Sequence, residues 1–294
     1  MSRPIRSLLL LASYTLMFSG KFATAKIDSP IEMELLVYNT HGLPTVFAKD
    51  NPDKRFPAIA RLTQRYELSL LQEDFAHHET LLQNLTAQSL VLRGNARRSA
   101  LCLFCSGSGL TTISNLGQRW HVETQAEAFN SCSGWLGGLN DCFANKGFQL
   151  VLLESPSGNR LMVVNTHLDA GRSASDRAAR ATQLKQITAR IRKAAPGEAL
   201  IVAGDLNLDW QDLKDRALLE QFREDLNLIR IGNNVQAVNG WPILDYIFYR
   251  NGRKTTLEIL ENGEDLAFRN EDGPLSDHPA FFVKFLVQTR ASAI

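Results

Sequence analysis

Asparagine, glutamate, aspartate and histidine recur through this 294-residue chain in six short polar strings, each at the end of a strongly apolar run. In order they are Asn39-Thr40-His41-Gly42, Gln72-Glu73-Asp74, Asn165-Thr166-His167, Gly204-Asp205-Leu206-Asn207, Asp245-Tyr246-Ile247 and Ser276-Asp277-His278. Carboxylate and amide oxygens are hard donors, suited to a cation such as Mg²⁺ that keeps several of its waters. Histidine, with a reference pKa near 6.5, accepts a proton from water close to neutrality. Any one string is weak, because Asn after a strand is a common turn former. Six in sequence imply a cation site with a proton acceptor beside it.

Such groups must be carried to one place by rigid elements. The runs at residues 35–38, 68–71, 161–164 and 200–203 have strand length and are rich in aliphatic and β-branched residues. Ile59, Leu62 and Tyr66, following Pro57, suit a helix that leads into the second run. Residues 175–195 have a Ser/Asp start, apolar positions at Leu184, Ile187 and Ile191, and a Pro196-Gly197 stop. That helix carries Arg177, Arg180, Lys185, Arg190, Arg192 and Lys193 spread around its circumference, which reads as a solvated face. Residues 210–228 give a further helix. Residues 94–147, rich in Gly and Ser and holding every cysteine, read as strands joined by long loops. Alternation of strand and helix with some direct strand-to-strand joins fits an α/β sandwich, two facing sheets with helices outside.

The N-terminus reads as an export signal over residues 1–25. Arg3 and Arg6 precede an apolar stretch at 8–18, and Ala23-Thr24-Ala25 offers a cleavage site. The stretch is short of the roughly 20 residues that a spanning helix needs. Cleavage removes Arg3, Arg6 and Lys21 and no acid, so the formal charge moves from +1 to −2. No basic field remains to concentrate nucleic acid non-specifically, and no stable nucleic-acid partner is expected. Residues 26–294 contain no linker, charge block or repeat and read as one domain of a secreted or periplasmic monomer. In an exported chain, the even number of cysteines (Cys102, Cys105, Cys132, Cys142) points to disulfides. Three connectivities are open. The expectation is Cys132 with Cys142, closing the loop before Asn145, and Cys102 with Cys105. A zinc site fits less well, because nine residues separate Cys132 from Cys142.

The ordered set of strings resembles the endonuclease/exonuclease/phosphatase superfamily, which holds deoxyribonuclease I, inositol polyphosphate 5-phosphatases and sphingomyelinases C. The resemblance spans about residues 33–286. It implies an α/β, deoxyribonuclease-I-like four-layer sandwich of two facing mixed β-sheets flanked by helices, and Mg²⁺-dependent phosphodiester hydrolysis (with Mn²⁺ or Co²⁺ as substitutes). By that resemblance Glu73, Asn39 and Asp277 hold the metal. His278 is the general base and Asp245 fixes its tautomer. Asp205 and Asn207 position water and phosphate, and His167 bonds the phosphate and protonates the leaving oxygen. Asn165, Asn145 and Lys146 bind substrate. His41 lies outside the transferred pattern.

Within the superfamily the chain is most similar to sphingomyelinases C. Asn140-Asp141-Cys142-Phe143-Ala144-Asn145-Lys146-Gly147 and Asn165-Thr166-His167-Leu168-Asp169-Ala170 resemble their Asn-Lys-Gly and Thr-His-Leu segments. Asp169 stands where that family prefers Gln, a departure at a substrate-contact position. The Asn39–Pro44 opening also departs from the haemolytic bacterial enzymes. Those enzymes expose paired aromatics on a hairpin between the fifth and sixth strings, whereas residues 250–275 here hold Phe268 as their only aromatic. The expected activity is hydrolysis of sphingomyelin to ceramide and phosphocholine with peripheral membrane contact, Trp135 being the best-placed interfacial side chain. A deoxyribonuclease-I-like nuclease and a phosphoinositide phosphatase are the rival enzymes, and a catalytically dead binding module is the rival class.

Overall fold

The computed structural model describes residues 29–43, 45, 51–96, 107–117, 120–133, 144–232 and 242–290. The expected signal segment, Trp135, Cys102, Cys105 and Cys142 lie outside the described residues. Cys132, on an exposed loop, carries no free thiol. The pairing of the four cysteines stays a proposal.

The apolar runs become β1 (Ile31–Asn39), β2 (Leu68–Gln72), β7 (Arg160–His167) and β8 (Ala199–Asp205). Around them lie β3 (Leu90–Arg93), β4 (Thr111–Ser114), β5 (His121–Ala128), β6 (Gly147–Glu154), β9 (Ile229–Arg230), β10 (Asp245–Arg250), β11 (Thr255–Glu264) and β14 (Phe281–Thr289). They form two six-stranded sheets, ordered β11-β14-β1-β2-β4-β3 and β5-β6-β7-β8-β10-β9. A small hairpin, β12 (Arg269–Asn270) with β13 (Gly273–Pro274), stands apart.

The central strands read as unbroken apolar runs because both their faces are covered. In β1, Met33, Leu35 and Val37 face the other sheet, while Leu36 and Tyr38 face outward onto a helix. In β8, Ala199, Ile201 and Ala203 point inward, and Leu200 and Val202 outward. Helix α1 (Pro52–Thr63) covers the first sheet with Phe56, Ile59 and Ala60. Helices α3 (Ala174–Ala194) and α4 (Leu213–Asp225) cover the second with Leu184, Ile187, Ile191, Leu219 and Phe222. Each such side chain contributes about 1.5–3 kcal/mol on full burial. The four layers are those of the deoxyribonuclease-I-like sandwich.

Local signals set the helix ends. Ser173, one residue before α3, makes a reciprocal capping box with Asp176, and Asp212 caps α4 through the backbone N–H groups of Lys214 and Asp215. Both helices are trimmed relative to the sequence reading at one or both ends. Helix α1 begins before Pro57, at Pro52, and stops at Thr63, which leaves Tyr66 beyond its end. Short α2 (His78–Gln83) had no periodic signal to announce it. The uniform solvated face expected of α3 is incorrect at Arg180. That side chain is fully buried and donates to the carbonyls of Asp169 and Gly171 (both 2.9 Å).

The register gathers the strings. Parallel β1 and β2 end together, with Asn39 opposite Gln72. Parallel β7 and β8 place His167 opposite Asp205. Antiparallel β10 begins where β8 ends, with Asp245 opposite Asp205. Antiparallel β14 runs back along β1 from the same end, with Phe281 opposite Val37. All six strings therefore meet at one pole.

Candidate active site

Toward that pole the apolar interior gives way to polar bridges between the sheets. Gln72 Nε2 donates to Asn165 Oδ1 (2.7 Å), Thr112 Oγ1 to Gln149 Oε1 (2.8 Å) and Asn39 Nδ2 to Asp205 Oδ2 (3.0 Å). A buried amide left unpaired costs about 1–3 kcal/mol, so these pairs fix how the sheets face each other. Asn165 also donates from Nδ2 to the carbonyls of Leu71 and Thr111 (3.2 and 3.3 Å). Fully buried, it ties the sheets together beneath the pole, a different place from the substrate contact expected of it.

Above the bridges, ligand atoms of Glu73, His167 and Asp205 lie within 4.8 Å of one another, and so do those of Asp205, Asp245 and His278. Asp205 joins the two groups. His278 Nδ1 is 2.7 Å from Asp245 Oδ2, which turns Nε2 inward, 3.8 Å from Asp205 Oδ2. Burial works against a charged His278, but Asp245 and then Asp205 outweigh it and hold the imidazole well above its ordinary pKa. Burial and the Asp245 charge push Asp205 up to about 7.

His167 is neutral. Burial, then the charges of Lys146 and His278, hold it well below the usual histidine range. The Lys146 ammonium donates to His167 Nε2 and to the Leu168 carbonyl, both at 2.9 Å. The ring proton therefore sits on Nδ1, which has no hydrogen-bond partner among the described residues. Lys146 thus stands beside His167 Nε2, which itself lies 3.5 Å from Asp205 Oδ2 and 3.7 Å from Glu73 Oε1. Asn207 lies behind it, donating from Nδ2 to the Leu168 carbonyl (3.1 Å) and from its backbone N–H to Asp205 Oδ1 (2.9 Å).

Backbone strain concentrates here. Among the described residues other than glycine, positive φ occurs at His41 (48°), Glu73 (59°), Asn145 (45°), Asn207 (51°) and Asn227 (53°), and all but the last belong to the strings or flank Lys146. Such geometry costs of order 1–3 kcal/mol per residue and persists only where the surroundings over-determine it. At Glu73 the cause is visible: its carbonyl accepts from the Gly42 N–H at 2.7 Å, an approach that a Cβ on Gly42, 2.3 Å from that oxygen, would block.

Asp277 is not drawn into either group. Its side chain is 45% exposed at the rim, with Oδ1 3.2 Å from His41 Nδ1. Asp169, expected near substrate, is fully buried behind its loop, and its N–H donates to Gln183 Oε1 (2.9 Å). Arg55 carried no chemical signal, since a lone arginine on a helix reads as solvated. It is buried, and Nη1 donates to the carbonyls of Thr40 (3.0 Å) and Leu275 (2.6 Å) while Nη2 donates to that of His41 (3.0 Å). It thereby joins the first string to the last.

The donors fit a divalent cation. Three carboxylates offer hard oxygens, Asp205 sharing one group with Glu73 and the other with Asp245. Glu73, partly exposed and aimed at Asp205 and His167, is the residue best placed to hold it, with Asn39 orienting Asp205.

No family model matches the chain. It is 28% identical over 290 residues to a protein of Mycobacterium tuberculosis described as a sphingomyelinase, a match that covers 91% of this chain. The chain spans 55% of the length of that relative. Among solved structures, sphingomyelinase C from Streptomyces griseocarneus superposes with a TM-score of 0.65 at 21% identity, over 86% of this chain and 99% of that one. A mutant of beta toxin from Staphylococcus aureus with bound magnesium ions gives 0.64 at 20% identity, over 87% and 99%. The fold is shared, and the resemblance carried by the six strings is borne out in sequence as well.

Proposed function

We propose that the chain is a divalent-cation-dependent phosphodiesterase of the sphingomyelinase C type, releasing phosphocholine and leaving ceramide. The observation that carries this reading is the Asp245–His278 pair aimed at a carboxylate cluster on the joint tips of two sheets. The named relative and the magnesium-bearing neighbour support the lipid substrate and the cation.

His278 Nε2 takes the proton of the attacking water, and Asp245 stabilises the imidazolium that results. The form that accepts is the neutral ring, in which Asp245 keeps the proton on Nδ1 and leaves Nε2 open. Lys146 supplies fixed positive charge toward the phosphoryl oxygens, and Asn207 together with Asp205 orients the nucleophile. Glu73 would hold Mg²⁺, with Mn²⁺ or Co²⁺ as substitutes. When bound, such an ion neutralises developing phosphoryl charge and lowers the pKa of water. The reading includes export after cleavage of residues 1–25, a monomer, and peripheral contact with lipid.

A panel of sphingomyelin in mixed micelles, supercoiled plasmid and soluble inositol polyphosphate, each with Mg²⁺ and with excess EDTA, tests it. Phosphocholine release that EDTA abolishes is the expected result. Plasmid nicking or free phosphate without phosphocholine would give the site to a nuclease or to a phosphatase. Full activity in EDTA would remove the cation from the scheme.

A further inference from the structure

Beside Glu73 lies a polar cluster that the chemistry above does not use. Asp74 is fully buried, so its carboxylate meets neither solvent nor substrate. It accepts from Thr111 Oγ1 (2.6 Å), lies 2.7 Å from His78 Nδ1 and pairs with Arg93. Arg93 also donates to Thr111 Oγ1 at 2.8 Å. The three partners come from β4, α2 and β3, so the carboxylate is gripped by three elements.

The backbone around it is pinned as well. Gln72 O accepts from the Thr40 N–H (2.9 Å), Glu73 O from the Gly42 N–H (2.7 Å), and the Asp74 N–H donates to Gly109 O (3.2 Å). Between these anchors Glu73 holds φ at 59°. A glutamate relaxing to an extended conformation would swing its carboxylate away from Asp205 and His167. Something must offset the cost of the left-handed turn, and the side chain gripped hardest is the next one along.

We propose that Asp74 is a positioning residue for Glu73: the clamp of Thr111, His78 and Arg93 on its carboxylate holds the turn that aims Glu73 into the metal cluster, and so sets divalent-cation affinity. The inference rests on the reading of Glu73 as the ligand.

Isothermal titration of the metal-stripped full chain with Mg²⁺ is the test. Asp74→Asn should weaken binding about 10–100-fold, the range for residues that orient a ligand, with kcat at saturating Mg²⁺ changed much less. Thr111→Ser, which keeps the hydroxyl, should bind like wild type, whereas Thr111→Val should weaken binding; this pair serves if Asp74→Asn does not fold. In a Glu73→Gln background Asp74→Asn should have little further effect, because the clamp acts through Glu73. Equal Mg²⁺ affinity in wild type, Asp74→Asn and Thr111→Val, or losses that add independently of Glu73, would overturn the inference alone. Failure of the wild-type chain to bind Mg²⁺ would overturn the metal reading of the site and this inference with it.

Discussion

His278 shows how two neighbours decide what a side chain can do. Its charge is favoured chiefly by Asp245, against the penalty of burial. Asp245→Asn should therefore lower the pH at which His278 titrates, and NMR of the imidazole Cε1–H against pH reads that shift directly. His278→Ala should cost on the order of 10²–10⁴-fold in rate. The double variant should fall well short of the product of the two single losses, because the residues act as a unit; a fully multiplicative loss would contradict the pairing. Gly42→Ala brings a Cβ within 2.3 Å of Glu73 O and 2.6 Å of the Phe56 ring. It should destabilise the fold by about 1–3 kcal/mol in a denaturant titration and disturb cation binding as well. Much of this site was legible in the sequence, since Asp205 ends β8, Asp245 begins β10, and Glu73 and His278 lie in the turns just after β2 and just before β14. Arg55 and Asp74 were not legible as site-forming residues. Their meaning lies in contacts with residues 220 and 37 positions away, which no local pattern encodes.

At the scale of the element, the helices show where pattern reading succeeds and where it stops. Capping is local chemistry, so the start of α3 was readable to within a residue. Ser173→Ala should cost about 1 kcal/mol of stability by loss of the capping box, seen as a lowered denaturation midpoint at unchanged slope. The fate of Arg180 is tertiary: it turns into the protein because the loop after His167 presents a row of carbonyls. Arg180→Ala, which leaves those acceptors buried and unpaired, should be far more damaging than alanine at Lys193, which is exposed on the same helix. The two strands of each central pair were easy to find because they are covered on both faces. β5, an exposed edge strand of alternating charge and small residues, and the two-residue strands β9, β12 and β13 carry too little apolar signal to announce themselves.

At the scale of the whole molecule, the surface around the pole bears on which substrates can reach it. Phe268, the one aromatic between residues 250 and 275, is buried against Tyr38 with ring centroids 4.7 Å apart. The hairpin of β12 and β13 turns through exposed Glu271 and Asp272. Insertion into a packed bilayer draws on exposed apolar groups, and this segment offers Leu266 as its main one. Sphingomyelin dispersed in detergent should be hydrolysed much faster than the same lipid in intact liposomes. Equal initial rates on the two would reveal an interfacial surface elsewhere, with Trp135 the first residue to replace. No helix among the described residues is long and apolar enough to cross a membrane.

The pairing of β14 with β1 joins the two extremes of the described chain, Ile31 opposite Val287. His278 is delivered by the turn that leads into β14, and Arg55 holds that turn to the first string. A nascent polypeptide cannot close this arrangement until β14 has emerged, so catalytic competence waits on that strand. The pole thus stays incomplete until β14 has paired with β1. Chains halted before residue 281 should be inert, however much of the first sheet and its neighbours they have formed.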